Sequence, residues 1–577
     1  MTGINTTSKT IFDTGNPLID GVISGYAWNG TSVTYAFPTL ASQYAYTDPA
    51  ELNNNFGAVS TAQKNAALFA MEQSFGTTAN DGFSVEGFTK LSFSAGSAAT
   101  ANLRFAQSDE ATPTAYAYYP GSYDSAGDIW FSTAYAGTVS DYRKPVAGNY
   151  AWHTLIHELG HALGLKHGHE TDTFGAVPAG NNSIEYTVMT YNGFVGDTAE
   201  GYIYEEFGAP QTFMMADIAA LQHMYGADFD TKSGNTVYKW TPTSGQTIID
   251  GEVAISPGAN RIFATLWDGG GRDTFDLTAY KTAMTIDLRP GKSSMFSADQ
   301  LSWLGGGPND GYARGNIFNA LLYHGNTKSL IEDVKAGSGN DRITGNEVAN
   351  ALYGNGGNDT LNGEAGNDTL VGGAGADKLN GGSGTDAASY AGATKGVVAS
   401  LVTPSANTND AKGDSYSSIE NLTGSSHADK LYGNTGANTL SGGGGNDLLS
   451  AGAGNDKLFG GAGADDLYGG SGADRFIFKS ATESTVAAAG QDSIFDFLGA
   501  QGDRIDISGI DANTKVTGDQ AFNFIGTSAF SGKPAELRYV KQASDTYIYG
   551  DVNGDKTADF AIHLDDAISL QKGYFIL

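Results

Sequence analysis

Twelve stretches of nine residues recur along this chain, and no other feature restricts its fold as much. Six consecutive units fill residues 336–389: AGSGNDRIT, GNEVANALY, GNGGNDTLN, GEAGNDTLV, GGAGADKLN and GGSGTDAAS. Six more fill 424–477, from GSSHADKLY to GGSGADRFI. Each approximates G-G-x-G-x-D-x-U-x, where U is apolar. Leu361 and Leu370 hold the apolar eighth place on a short strand and point inward, so eighteen residues make one coil of a parallel roll. The sixth place is Asp341, Asp359, Asp368, Asp377 and Asp386 in the first block, and Asp429, Asp447, Asp456, Asp465 and Asp474 in the second. Calcium takes six to eight hard oxygen ligands. Here the turns offer those carboxylates together with the carbonyls of Gly337, Gly339, Gly354, Gly356, Gly363, Ala365, Gly372, Ala374, Gly442, Gly444 and Gly460. Stacked aspartates repel unless cations lie between them, so several structural calcium ions belong to the fold. Asn350 and Asn438 replace the acid in two units, which are expected to bind weakly or to cap the stack. A disordered glycine-rich linker would not keep this register.

The rest of the 577 residues exceeds one ordinary core, so several domains are expected. The fold class expected is multidomain: an α+β domain, then an all-β parallel roll, then a C-terminal β region. Residues 1–16 are polar and read as a flexible leader or propeptide. Residues 17–240 look like a mixed globular domain, with a capping box at Ser60–Gln63 opening one helix. Residues near 91, near 102 and from Asp128 alternate as strands do, and two more helices fall in AWHTLIHELGHALGL and MADIAALQHMYG. Residues 241–335 read as a β-rich connecting region, 390–423 as a non-repeating segment between the blocks, and 478–577 as the C-terminal β region.

A formal charge of -31 leaves no basic stripe for phosphates, which excludes nucleic acid as a partner. No run of about 18 apolar residues occurs, so no membrane span is expected. The first residues carry neither a basic segment nor an apolar stretch of signal-peptide length, so export is not expected to use such a signal. With no cysteine, sulfur metal sites and disulfides are excluded together.

Five of the nine histidines fall within residues 153–169, three of them in HELGHALGLKH. His157 and His161, four apart on a helix, project from one face and can share an ion. Gly164 can take positive φ, end the helix and turn the chain back, which brings His167 in as third ligand. Three imidazoles plus water suit a single catalytic zinc. Glu158, beside the first ligand, is the natural general base for the water and the proton donor to the leaving amine. His153, His169 and His223 fall outside this register and read as hydrogen-bonded, exposed or packing residues.

HELGHALGLKH resembles the metzincin signature, and VMTY at 188–191 resembles the methionine turn of that group. The tyrosine two places after Met189, the missing cysteines and the repeats make the chain similar to the serralysin family. That resemblance implies that Met189 supports the site from beneath. It also implies that Tyr191 ligates zinc loosely at rest and moves to stabilise the tetrahedral oxyanion. WDGGGRDTFD resembles a family calcium site, which points to Asp268, Gly270 and Asp273, with Glu332 in the matching place before the first repeats. DVNGDKTAD at 551–559 reads equally as a calcium loop or an acidic turn. Two departures stand out: Gly168 follows the third histidine where the family usually has proline, and the final GYFIL lacks the family's acid. The family usually has one repeat block, so the second reads as an extension.

The reading is a secreted zinc endopeptidase of broad specificity acting on proteins or peptides. Substrate is expected to pair with an edge strand around Asp128–Ala134. The resemblance implies secretion from a Gram-negative bacterium through type I machinery that reads a C-terminal signal, and it admits a protein inhibitor as partner. Two alternatives stay open: a protease dedicated to a surface-layer protein, and an inert calcium-dependent surface or adhesion protein.

Overall fold

The computed structural model describes residues 8–46, 50–198 and 201–577. The chain divides into two compact units, residues 1–336 and 337–577.

In the first unit, a sheet runs in the order Ser92–Ala95, Ser32–Ala36, Leu103–Gln107, Asp128–Phe131 and Ala115–Ala117. The first four strands are parallel and the last is antiparallel to its neighbour. Asp128–Phe131 is therefore not an edge. It has partners on both sides and all four residues are buried, so the edge expected there lies at Ala115–Ala117 instead. The apolar run DIWF announces a buried strand, but alternation alone does not say which strand ends the sheet.

Helix Thr61–Met71 starts on Ser60, whose Oγ accepts from the Gln63 N–H while the Gln63 side chain accepts from the Ser60 N–H. It lies against helix Tyr150–Ala162, with Phe69 and Trp152 rings 5.2 Å apart. Asn149 caps that second helix through the Trp152 N–H at 2.9 Å. Every residue from Ala151 to Ala162 is buried, so it forms the centre of the unit.

Two expectations fail here. Residues 8–16 are folded onto the unit: Ser8–Thr10 pairs antiparallel with Tyr26–Trp28, and the Lys9 ammonium donates to the Met224 carbonyl at 2.6 Å. The Thr14 N–H also donates to Asp20. Residues 1–7 of the expected leader lie outside the described residues. Residues 241–335 are likewise no separate body. The Gln211 N–H donates to the Phe263 carbonyl, the Thr265 N–H donates to Thr212, and Arg314 pairs with Glu185. These bonds between distant parts of the chain make one unit of what composition divides into two.

The second unit is a parallel roll. One run of strands pairs Arg342–Thr344, Thr360–Asn362, Lys378–Asn380 and Ser415–Ser417. A second run begins at Val398–Ser400 and passes through Lys430–Tyr432, Leu448–Ala453 and Asp466–Ser471 to Ser493–Ile494. The opposite face is continuous through both blocks: Ala351–Tyr353, Thr369–Val371, Ala387–Ser389, Asn421–Thr423, Thr439–Gly444, Lys457–Ala462, Arg475–Ile477 and Arg504–Asp506. Along it Leu352, Leu370, Ala388, Leu422, Leu440, Leu458, Phe476 and Ile505 form one file of fully buried side chains. Residues 390–423 are thus not simply a spacer, since Asn421–Thr423 carries the sheet across. The C-terminal region adds antiparallel strands Glu536–Lys541, Thr546–Asp551 and Phe560–Leu564.

Candidate functional site

Helix Tyr150–Ala162 places His157 and His161 one turn apart, and the chain then reverses at Gly164. Gly164 has φ +107°, and a side chain there would collide with the Tyr26 carbonyl. The Ser24 N–H donates to the Gly164 carbonyl and the Lys166 N–H to that of Val22, so the returning chain pairs antiparallel with residues 22–24. This carries His167 back to the helix. Lys166 locks the turn by donating from its buried ammonium to the carbonyls of Gly21, Glu170 and Gly175.

The three histidines meet Nε2 to Nε2, at 3.1 Å between His161 and His157 and 3.0 Å between His161 and His167. Their other nitrogens face acceptors: Nδ1 of His157 the Val188 carbonyl (2.7 Å), of His161 the Leu165 carbonyl (2.7 Å), and of His167 the Glu170 carboxylate (2.8 Å). Those acceptors require the proton on Nδ1, which leaves three lone pairs converging. Burial, followed by the charge of a neighbouring histidine, pushes the pKa of His157 down to about 3 and that of His167 down to about 4. Neutral imidazoles facing one another at this spacing suit a cation; tetrahedral zinc with bonds near 2.05 Å would set nitrogens about 3.3 Å apart.

Glu158 is buried and its Oε2 has no partner among the described residues. Burial pushes its pKa up to about 8, a condition that a nearby dication would reverse. The Tyr191 hydroxyl lies 2.8 Å from His167 Nε2, and the residue is 42% exposed. Met189 is fully buried against Gly160, where a Cβ would press on its sulfur. His153 is buried and within 2.9 Å of the Tyr204 hydroxyl, His169 stacks on His167 and lies tilted against Tyr191, and His223 meets the Phe12 carbonyl. None of the three joins the Nε2 cluster.

Two supporting acids are not legible in the metal pattern. Glu170 holds His167, and its signal was only its place three residues on. Asp217, fully buried, accepts from the Val188 and Met214 N–H groups and from Thr187, which ties the methionine turn to helix Met215–Tyr225. Beside the histidines lies a cleft of about 1260 Å³ lined by Ala115, Tyr116, Tyr135, Tyr150, Tyr191, Tyr202 and Tyr204, among others.

In the roll the sixth-place aspartates form ladders. Asp359 Oδ1 accepts from the Asp341 N–H, Asp377 from Asp359, and Asp386 from Asp368; Asp447, Asp465 and Asp474 repeat this at 2.7–2.9 Å. The second oxygens of Asp359, Asp368, Asp377, Asp386, Asp447, Asp456, Asp465 and Asp474 are buried and without partners among the described residues. A row of bare, buried carboxylate oxygens demands cations. Asn350 and Asn438 instead donate from their amides, to Asn346 and to the Glu420 carbonyl. Asp414, Glu420, Asp492 and Asp503 prolong the ladders outside the repeats. Each directly precedes a short strand, as the repeat aspartate does, but without the glycines that made the repeats visible.

In the first unit the expected cluster also assembles. Asp268 accepts from the Gly270 N–H and the Tyr238 hydroxyl, Glu332 accepts from the Asp273 N–H, and Asp273 Oδ2 is buried and bare. Burial raises the pKa of all three carboxyls. At 551–559, by contrast, Asp551 is filled by the N–H groups of Asn553, Gly554 and Lys556, which favours the acidic turn.

Residues 414–576 match the family model described as Peptidase M10 serralysin C terminal, and 331–352 and 353–387 match the RTX calcium-binding nonapeptide repeat. Over those residues the chain is similar to the serralysin family. Serralysin C of Dickeya chrysanthemi is 32% identical over 233 residues, covering 39% of this chain and 42% of that one. Serralysin B of the same organism is 32% identical over 356 residues (59% and 65%), and Metalloprotease AprA of Pseudomonas entomophila (strain L48) 33% over 354 (57% and 63%). The chain thus spans between about two fifths and two thirds of the length of these curated relatives. The second repeat block, read from the sequence as an extension, lies inside the serralysin C-terminal match.

Proposed function

We propose that this serralysin-like chain is a secreted zinc endopeptidase that hydrolyses peptide bonds in proteins with broad side-chain tolerance. The observation that carries the reading is the convergence of three neutral Nε2 atoms beside a buried, unpartnered Glu158.

His157, His161 and His167 would hold the zinc, which when bound supplies Lewis-acid polarisation of water and of the scissile carbonyl. Glu158 takes the water's proton and hands it to the leaving amine, which its position one residue from a ligand and its lack of any competing partner allow. Tyr191 donates its hydroxyl to the oxyanion, the role the family resemblance implies. Met189 holds the floor of the site and Asp217 holds Met189's turn.

Substrate lies along Ala115–Ala117. The Ser132 N–H donates to the Thr114 carbonyl and the Tyr118 N–H to that of Asp128, so residues 114, 116 and 118 bond inward. Alternation turns the N–H and C=O of Ala115 and Ala117 outward, toward an extended peptide, with only a long 3.5 Å contact from the Thr114 hydroxyl on the Ala115 carbonyl. Main-chain pairing reads no side chains, which supports broad specificity. Secretion by a type I system, with the C-terminal region as signal, follows from the family resemblance. The intact cluster favours this reading over an inert adhesion protein.

The test is casein digestion in constant calcium. Zinc-specific chelation should abolish it, and one equivalent of zinc should restore it. Undiminished digestion by zinc-free protein would refute the reading.

A further inference from the structure

The two repeat blocks are separated by 34 residues with no nonapeptide (390–423), yet the carboxylate ladder of the first block runs on into that segment. Its rungs are the N–H of Asp368 on Asp386 and the N–H of Asp386 on Glu420; the Glu420 N–H then turns back to the Asp386 carbonyl, and Asn438 of the second block joins through its amide on the Glu420 carbonyl. Glu420 Oε2 accepts from the Asp386 N–H at 2.8 Å, the distance at which the repeat aspartates accept from their predecessors. It immediately precedes strand Asn421–Thr423, as Asp386 precedes Ala387–Ser389.

The backbone copies a repeat turn as well. A Cβ on Gly363 would run into the Gly381 carbonyl, and one on Gly381 would run into that of Ser418. Ser418 therefore presents its carbonyl where a repeat presents that of its first glycine, and it takes φ +49° to do so. Asp386, fully buried, leaves Oδ2 without a partner at this level. On the opposite edge the corresponding acid is treated differently: Asp414 accepts from the Asp377 N–H and, on its second oxygen, from the Tyr390 hydroxyl at 2.8 Å. The hydroxyl satisfies the second oxygen of Asp414, while Asp377 keeps its own Oδ2 bare there as Asp386 does.

We propose that Glu420, the Ser418 carbonyl and Asp386 form a calcium site at the junction, outside the nonapeptide repeats, and that this ion makes the two blocks fold as one. A hard dication is the ligand class, because the donors are all oxygen and two are carboxylates. Without it, the bare Oδ2 of Asp386 would face the Glu420 carboxylate uncompensated at the junction, and the roll would come apart there into two segments. Nearest-neighbour stacks propagate order only across intact interfaces, so this one level decides whether the blocks are coupled.

The experiment is a calcium titration of the full chain, reading hydrogen exchange in peptides of each block together with the number of ions bound. In the natural chain both blocks should gain protection at one calcium concentration. Glu420→Gln should bind one ion fewer and separate the two midpoints, whereas Glu347→Gln, at an exposed position, should change neither. Glu420→Asp keeps a carboxylate and should keep the ion count, and it serves if the glutamine variant does not fold. A Glu420→Gln chain with the full number of ions, an aspartate variant that also loses the ion, or different midpoints in the natural chain would each overturn the proposal.

Discussion

At the scale of single residues the account rests on which nitrogen of each histidine faces the cluster. For His157 and His161 the Nδ1 partner is a backbone carbonyl, but for His167 it is the Glu170 carboxylate. A charged acceptor makes an imidazole a better ligand and fixes its ring. Glu170→Gln should therefore weaken zinc binding by about 10–100-fold, measured by competition with a chromogenic chelator on the unloaded protein. Unchanged affinity would make Glu170 a bystander. The ligands were legible because HExxHxxGxxH compresses them into eleven residues on one helix and its turn. Glu170 and Asp217 were not, because a hydrogen-bond partner leaves no periodic trace, and Asp217 reaches Val188 across 29 residues of sequence.

At the scale of elements, strands were readable and their neighbours were not. DIWF alternates too little to tell a central strand from an edge, and AYAYYP gives no hint that Ala115–Ala117 folds back on it. The order follows from crossovers and from the pairing of Asp128–Phe131 on both sides. Since the Ala115 N–H points outward, Ala115→Pro removes a donor to substrate without removing one from the sheet. It should raise KM for extended peptides and leave kcat nearly unchanged. A fall in kcat alone would place the substrate elsewhere. The repeat strands were legible for the opposite reason, since an identical turn every nine residues fixes both register and neighbour. Asp414 and Glu420 escaped because they hold the same place in the ladder without those turns.

At the scale of the whole molecule, the roll depends on its cations. Burial raises the folded-state pKa of Asp359 and Asp447 to about 7 and of Asp368 and Asp465 to about 6. An unfolded chain titrates these groups near 3.9. Without metal the folded roll thus binds more protons than the unfolded chain, and its stability falls as pH rises from about 4 through 7. In chelator, the strand signal in circular dichroism should be stronger at pH 5 than at pH 8. Saturating calcium should reverse the order, because protons then compete with the ion for the same oxygens. A roll equally ordered at both pH values in chelator would contradict this.

The central claim, that a buried carboxylate beside a zinc held by three histidines cleaves peptide bonds, is tested most directly by Glu158→Gln. Zinc content and peptide turnover are measured on the same purified sample. The account predicts one zinc per chain, as in the natural protein, with turnover reduced by at least about 10²–10⁴-fold, the usual contribution of a general base. Near-normal turnover with zinc in place would contradict it.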